Sequence, residues 1–160
     1  MLPEELNKMV TKLSELASQN LIKDGSLIPC VFMCLPDESI QVIALTYTSS
    51  EEKYQMLDQV STYLKFVGAK AALFISEVWY AHQEILSEIQ IAPSKREDRQ
   101  EAIIVLGFMD YYRSGCMVPF IREQNKIVIM KEETNSMEQF WETGIFLDVF
   151  EKPLSTSNIA

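Results

Sequence analysis

The chain has 160 residues, 48% hydrophobic and 23% charged, and its 23 acidic against 14 basic side chains leave a net charge of -9. That length and composition predict one domain with one core and set aside intrinsic disorder. The acidic balance is the wrong sign for a phosphate backbone, and no apolar run approaches the roughly 18 residues that cross a bilayer, so neither nucleic acid nor membrane is an expected partner.

In chain order, Leu6, Met9, Val10, Leu13, Leu16, Ala17 and Leu21 recur at helical spacing, with Pro3 suited to the first turn and Gly25 to the stop. Two β-rich runs follow, Leu27 to Leu35 and Ile40 to Tyr47, and the turn residues Pro36, Asp37, Glu38 and Ser39 between them predict an antiparallel hairpin. Pro29 has no N–H for a ladder, so the first strand lies at an edge or begins after it. Ser49 with Glu52 three residues on is a capping-box pattern, opening a second helix that carries Tyr54, Leu57, Val60, Leu64 and Val67 on one side and stops at Gly68.

Ala71 to Ala81 and Ala102 to Tyr111 are apolar on both alternating faces and read as the central strands, joined by a long connection from His82 to Gln100. Met117 to Arg122 and Lys126 to Lys131 flank a short polar stretch as a second hairpin, with Pro119 marking a bulge or an edge. Ser136 with Gln139 starts another capping box before Phe140, Trp141, Ile145 and Leu147; Gly144 leaves Ile145 to Phe150 open between helix and strand. The order α-β-β-α-β-β-β-β-α predicts an α+β domain over residues 1–153, an antiparallel sheet of five to six strands with helices packed on it, and a flexible tail at 154–160. In outline this is profilin-like or roadblock-like, a likeness of shape that transfers no function.

The chemistry is sparse. Cys30, Cys34 and Cys116 have no framework spacing, and Cys30 and Cys34 stand about 13 Å apart along a strand, so reduced thiols and a cytoplasmic location are expected, with no metal and no cofactor. Its single glycines form no phosphate-binding loop. His82 is the sole imidazole and lies roughly 20 Å from Ser76 if one strand carries both, too far for proton transfer. The basic residues Lys95, Arg96 and Arg99 alternate with Glu97, Asp98 and Glu101, which cancels most of their field.

One stretch stands apart. Alternation puts Leu73, Ile75, Glu77 and Trp79 on one face of a strand, so the Glu77 carboxylate falls where apolar neighbours predict burial and needs a partner. Arg99 is the favoured partner, across the two central strands, with Arg96 and Arg122 as the others. The simplest reading is an ion pair that sets strand register; the functional alternative is a ligand site of Glu77, Trp79, Tyr80 and Arg99, the two aromatics lining a pocket. Through Ser76, Glu77, Trp79, Pro93, Ser94, Arg99 and Glu101 the chain resembles a family of small uncharacterised bacterial and phage α+β proteins with a Ser-Glu-x-Trp strand and a Pro-Ser to Arg-x-Glu loop. That resemblance implies a shared fold and a site around Glu77 and Arg99.

No catalytic constellation emerges. The reading the sequence favours is a noncatalytic module that binds another protein or itself, a homodimer being the simplest form. Its alternatives are an enzyme or small-ligand binder built on Glu77 and Arg99, and a phage or mobile-element accessory protein acting on a host factor through its acidic surface.

Overall fold

The computed structural model describes residues 1–80, 100–132, 146 and 148–153. Its elements run α1 (Pro3–Asp24), β1 (Cys30–Cys34), β2 (Ile40–Ala44), α2 (Ser50–Val67), β3 (Ala71–Tyr80), β4 (Gln100–Met109), β5 (Tyr112–Glu123) and β6 (Lys126–Ile129). The strands form one sheet in the order β2-β1-β3-β4-β5-β6, antiparallel at every step. This is the expected α+β fold.

Both helices begin and end for local reasons. Pro3 opens α1, the Glu5 carboxylate accepts from Leu2 N–H at 2.6 Å, and Gly25 at φ 78° donates its N–H to Leu21 O at 2.8 Å. Ser49 Oγ accepts from Glu52 N–H at 3.2 Å to cap α2, while the Glu52 carboxylate reaches back to Thr48 N and Oγ1, two hydrogen bonds that hold it below the usual carboxylate range. Gly68, at φ 66°, closes the helix.

The helices cover opposite faces of the sheet. Leu6, Val10, Ala17 and Leu21 of α1 pack on Leu73, Ile75, Ile103, Val105, Val118 and Phe120. Leu57, Val60 and Leu64 of α2 pack on the alternate residues, among them Val31, Met33, Ala72 and Phe74. A sheet buried on both sides explains why Ala71 to Ile75 and Ala102 to Leu106 read as continuous apolar runs. Gly107 marks the closest approach of α1, since a Cβ there would stand 3.0 to 3.2 Å from Val10 and Leu6 side-chain atoms. Tyr54, expected on the buried stripe of α2, is exposed instead.

Several strand limits differ from expectation. β1 starts only after Pro29, as a residue without an N–H allows, and β2 stops at Ala44. β5 begins at Tyr112 rather than Met117, because the two-residue turn Asp110-Tyr111, with Tyr111 at φ 64°, sends the chain straight back along β4. Pro119 sits inside β5 without a bulge; its carbonyl accepts from Met130 N–H at 2.8 Å, just beyond the last residue of β6, where a missing N–H costs the ladder little.

Phe146 and Phe150 extend the α2-side core, Phe146 meeting Phe108 edge to face at 5.3 Å between ring centres. Arg113 fastens this segment: Nη1 donates to Met109 O and Tyr112 O, Nη2 to Phe150 O, and its guanidinium lies over the Phe108 ring. Among the described residues Phe146 and Asp148–Phe150 lie in turns and bends, neither of the two alternatives considered for that stretch. The helix expected from Ser136, most of the long connection from His82, and the tail at 154–160 lie outside the described residues.

The thiols sit as a reduced core would have them. Cys34 and Cys116 are buried, Cys30 is half-buried, and all three are free. Burial pushes Cys116 up to about 11. No helix among the described residues is long and apolar enough to cross a membrane.

Candidate functional site

Antiparallel register assembles the cluster. Trp79 stands opposite Glu101, and Glu101 opposite Phe120, so Glu77, Trp79, Glu101, Phe120 and Arg122 all project from the α1 face at one end of the sheet. Here α1 has ended at Gly25 and the chain crosses this end of the sheet before entering β1.

Arg122 is the centre of the cluster. Its Nη2 donates to Glu77 Oε1 at 2.8 Å, its Nε to both Glu101 oxygens at 3.1 and 3.3 Å, and its Nη1 to Gly25 O at 2.7 Å. The guanidinium also lies over the Phe120 ring, 5.3 Å from its centre. Glu77 uses its other oxygen: Oε2 accepts from Leu27 N–H at 3.0 Å. One planar cation thus joins β3, β4, β5 and the loop after α1, with a fork geometry that a lysine could not reproduce. Its carbonyl partner follows the C-terminal end of α1, where the helix dipole favours positive charge.

The side chains are part exposed, 25% for Glu77, 22% for Glu101 and 42% for Arg122, so solvent weakens each pair. No buried side-chain nitrogen or oxygen among the described residues lacks a hydrogen-bond partner. Polar capacity here is spent on tying backbone to sheet.

The candidate residues separate as follows. Glu77 has its arginine, and the arginine is Arg122; Arg99, the favoured partner, lies outside the described residues. Trp79 and Tyr80, adjacent on β3, point to opposite faces of the sheet, yet both border the open cleft at its end. Trp79 is 43% exposed on the α1 side, while Tyr80 is buried in the α2-side core with its hydroxyl donating to Gln100 Oε1. This cleft of about 460 Å³ is lined by Trp79, Tyr80, Glu101, Phe120, Arg122 and Met130 among others, and Glu77 is not part of its wall. Arg122 also borders a second depression of about 660 Å³ toward Asp24, Asn125 and Lys126. Among the described residues no group of three or more His, Cys, Asp or Glu side chains could hold a metal ion.

Three contributors escaped the reading of the sequence. Glu101 counted only as a field-cancelling charge and part of a motif, and nothing in the sequence marked the Gly25 carbonyl or the Leu27 N–H as partners. Glu101 was recoverable: two residues from Ile103 on the same alternating face, it falls beside Glu77 once β3 and β4 pair.

No curated protein and no solved structure matches the chain. The model of a phage family, described as bacteriophage lambda protein ea47, matches residues 2–158. A match over nearly the whole length assigns membership, and the chain therefore belongs to the bacteriophage lambda protein ea47 family.

Proposed function

We propose that this phage-family protein is a noncatalytic accessory module that works by association, with a second copy of itself or with another protein. One observation carries the reading: Ile40 and Val42 on the end strand β2 are each more than half exposed, while the polar cluster is engaged internally. Apolar surface left open beside an end strand whose outer edge has no partner among the described residues favours association over chemistry. The net charge of -9 supports a basic surface on any partner other than a second copy. Light scattering coupled to size exclusion tests the self-associating form. A mass of twice the chain at micromolar concentration is the expected result, and a strict monomer throughout overturns that form.

A ligand-binding reading retains one observation, the cleft beside Trp79. Trp79 fluorescence titrated with aromatic and carboxylate-bearing small molecules tests it, and no change across the panel removes it.

A further inference from the structure

We infer that β2 is the self-association edge, two copies pairing antiparallel through Ile40–Ala44 about a two-fold axis at Val42, so that the two six-stranded sheets become continuous. This rests on the reading of the chain as a self-associating module, and it names the surface.

The backbone sets the register. Ser39 O accepts from Leu35 N–H and Leu45 N–H donates to Pro29 O, so residues 39, 41, 43 and 45 turn their backbone groups toward β1. Ile40, Val42 and Ala44 turn theirs outward, and β2 is an end strand of the sheet among the described residues. A two-fold axis at Val42 places Val42 opposite its own copy and Ile40 opposite Ala44, so each outward residue meets an outward residue and every outward N–H and C=O is paired. A strand is its own partner only when its outward residues are symmetric about one position, as these are.

The side chains agree. Ile40, Val42 and Ala44 lie on the α1 face, but α1 packs over β4 and β5 and leaves β2 exposed on that face. Beside them Ile28 is 68% exposed. On the other face Tyr63 of α2 reaches the edge, its hydroxyl donating to Gln41 Oε1 at 3.0 Å, and Phe66 one turn on is 86% exposed. Ile28, Ile40 and Val42 on one face and Tyr63 and Phe66 on the other leave apolar side chains exposed on both sides of this edge.

Charge favours a second copy over a charged partner at this edge. β2 contains no charged residue, and the two-fold sets Asp37 and Glu38 of the preceding turn against Tyr47 and Thr46 of the copy, so no like charges face each other despite a net charge of -9 per chain. The opposite edge differs. β6 begins at Lys126, Lys131 follows two residues past its end, and α1 packs over Ile127 and Ile129. Edge lysines block strand pairing, and β2 has none.

The test uses the full chain with Val42→Lys, Val42→Glu and, as control on the other edge, Val128→Lys. The native chain and Val128→Lys should dimerise, and each Val42 variant alone should weaken the dimer by at least about 100-fold, since the axis sets like charges face to face. Mixing Val42→Lys with Val42→Glu should restore a dimer. Circular dichroism checks that the variants fold, and hydrogen exchange of the native chain gives an answer without them: amides of residues 40–44 should exchange more slowly as concentration rises. A native dimer indifferent to both Val42 changes, a mixture that stays monomeric, or exchange of residues 40–44 independent of concentration overturns the β2 assignment alone. A native chain monomeric throughout overturns self-association as well.

Discussion

Arg122 on β5 reaches over β4 to donate a 2.8 Å hydrogen bond to Glu77 on β3, joining two strands that are not neighbours in the sheet. The same guanidinium holds Glu101 and Gly25 O, so its loss leaves two adjacent carboxylates facing one another and frees the loop after α1. Arg122→Ala should cost about 2 kcal/mol of folding stability, discounted for the partial exposure of all three side chains. Glu77→Gln keeps an acceptor for Leu27 N–H and should cost about half as much. Urea unfolding of the two single variants and the double variant measures the coupling, and an interaction energy near zero would refute a shared network.

Gly107 stands where α1 presses nearest the sheet, between Leu73 on β3 and Ser114 on β5. Gly107→Ala would push against Leu6 and Val10, both buried and in contact with the sheet, so α1 must shift or strain. The expected cost is about 1–3 kcal/mol, because overpacking outweighs the small gain from removing a glycine. Thermal unfolding decides it, and a variant as stable as the native chain would mean that α1 rides loosely on the sheet.

How far the sequence could be read depends on how local each signal is. Helical spacing and the Ser49–Glu52 cap located both helices, and alternation along β3 singled out Glu77 as a carboxylate on an apolar face, because these patterns are set by near neighbours. The partner was not local. Arg122 lies 45 residues away, and the turn that brings β5 back is the pair Asp110-Tyr111, which has no glycine to announce it. The stretch Tyr112 to Cys116 reads as polar and irregular, yet Ser114 and Gly115 are strand residues opposite Gly107 and Leu106. Strand pairing overrode weak local propensity there.

Arg113 clamps the segment around Phe150 to the β4–β5 turn, with Asp110 Oδ1 accepting from Glu151 N–H at 2.9 Å and Tyr111 N–H donating to Glu151 O. Burial pulls the guanidinium below its ordinary range and Asp110 opposes that shift, so the side chain is held by its three carbonyl partners rather than by solvent. Arg113→Ala should release residues 148–153 and uncover Phe108 and Phe146. Faster hydrogen exchange in residues 148–153 with α1 unaffected, together with dye binding to the opened core, is the expected pattern. Uniform loosening of the whole chain would instead show that the segment is integral to the fold.

Cys116 is buried against α1 and its thiol is pushed up to about 11 from an ordinary value of 9.0. An acid whose folded pKa is raised binds its proton longer in the native state than in the unfolded one. Stability from this group is therefore flat below pH 9 and falls as pH rises from 9 toward 11, by about 2 kcal/mol over the full window. Cys116→Val removes the titrating proton at similar volume. Urea unfolding at pH 8 and at pH 10.5 should show a smaller alkaline loss for the variant than for the native chain. Equal losses would mean that the thiol ionises as freely in the core as in the unfolded chain. A thiol reagent at pH 8 should modify half-buried Cys30 first and reach Cys116 only after denaturant is added.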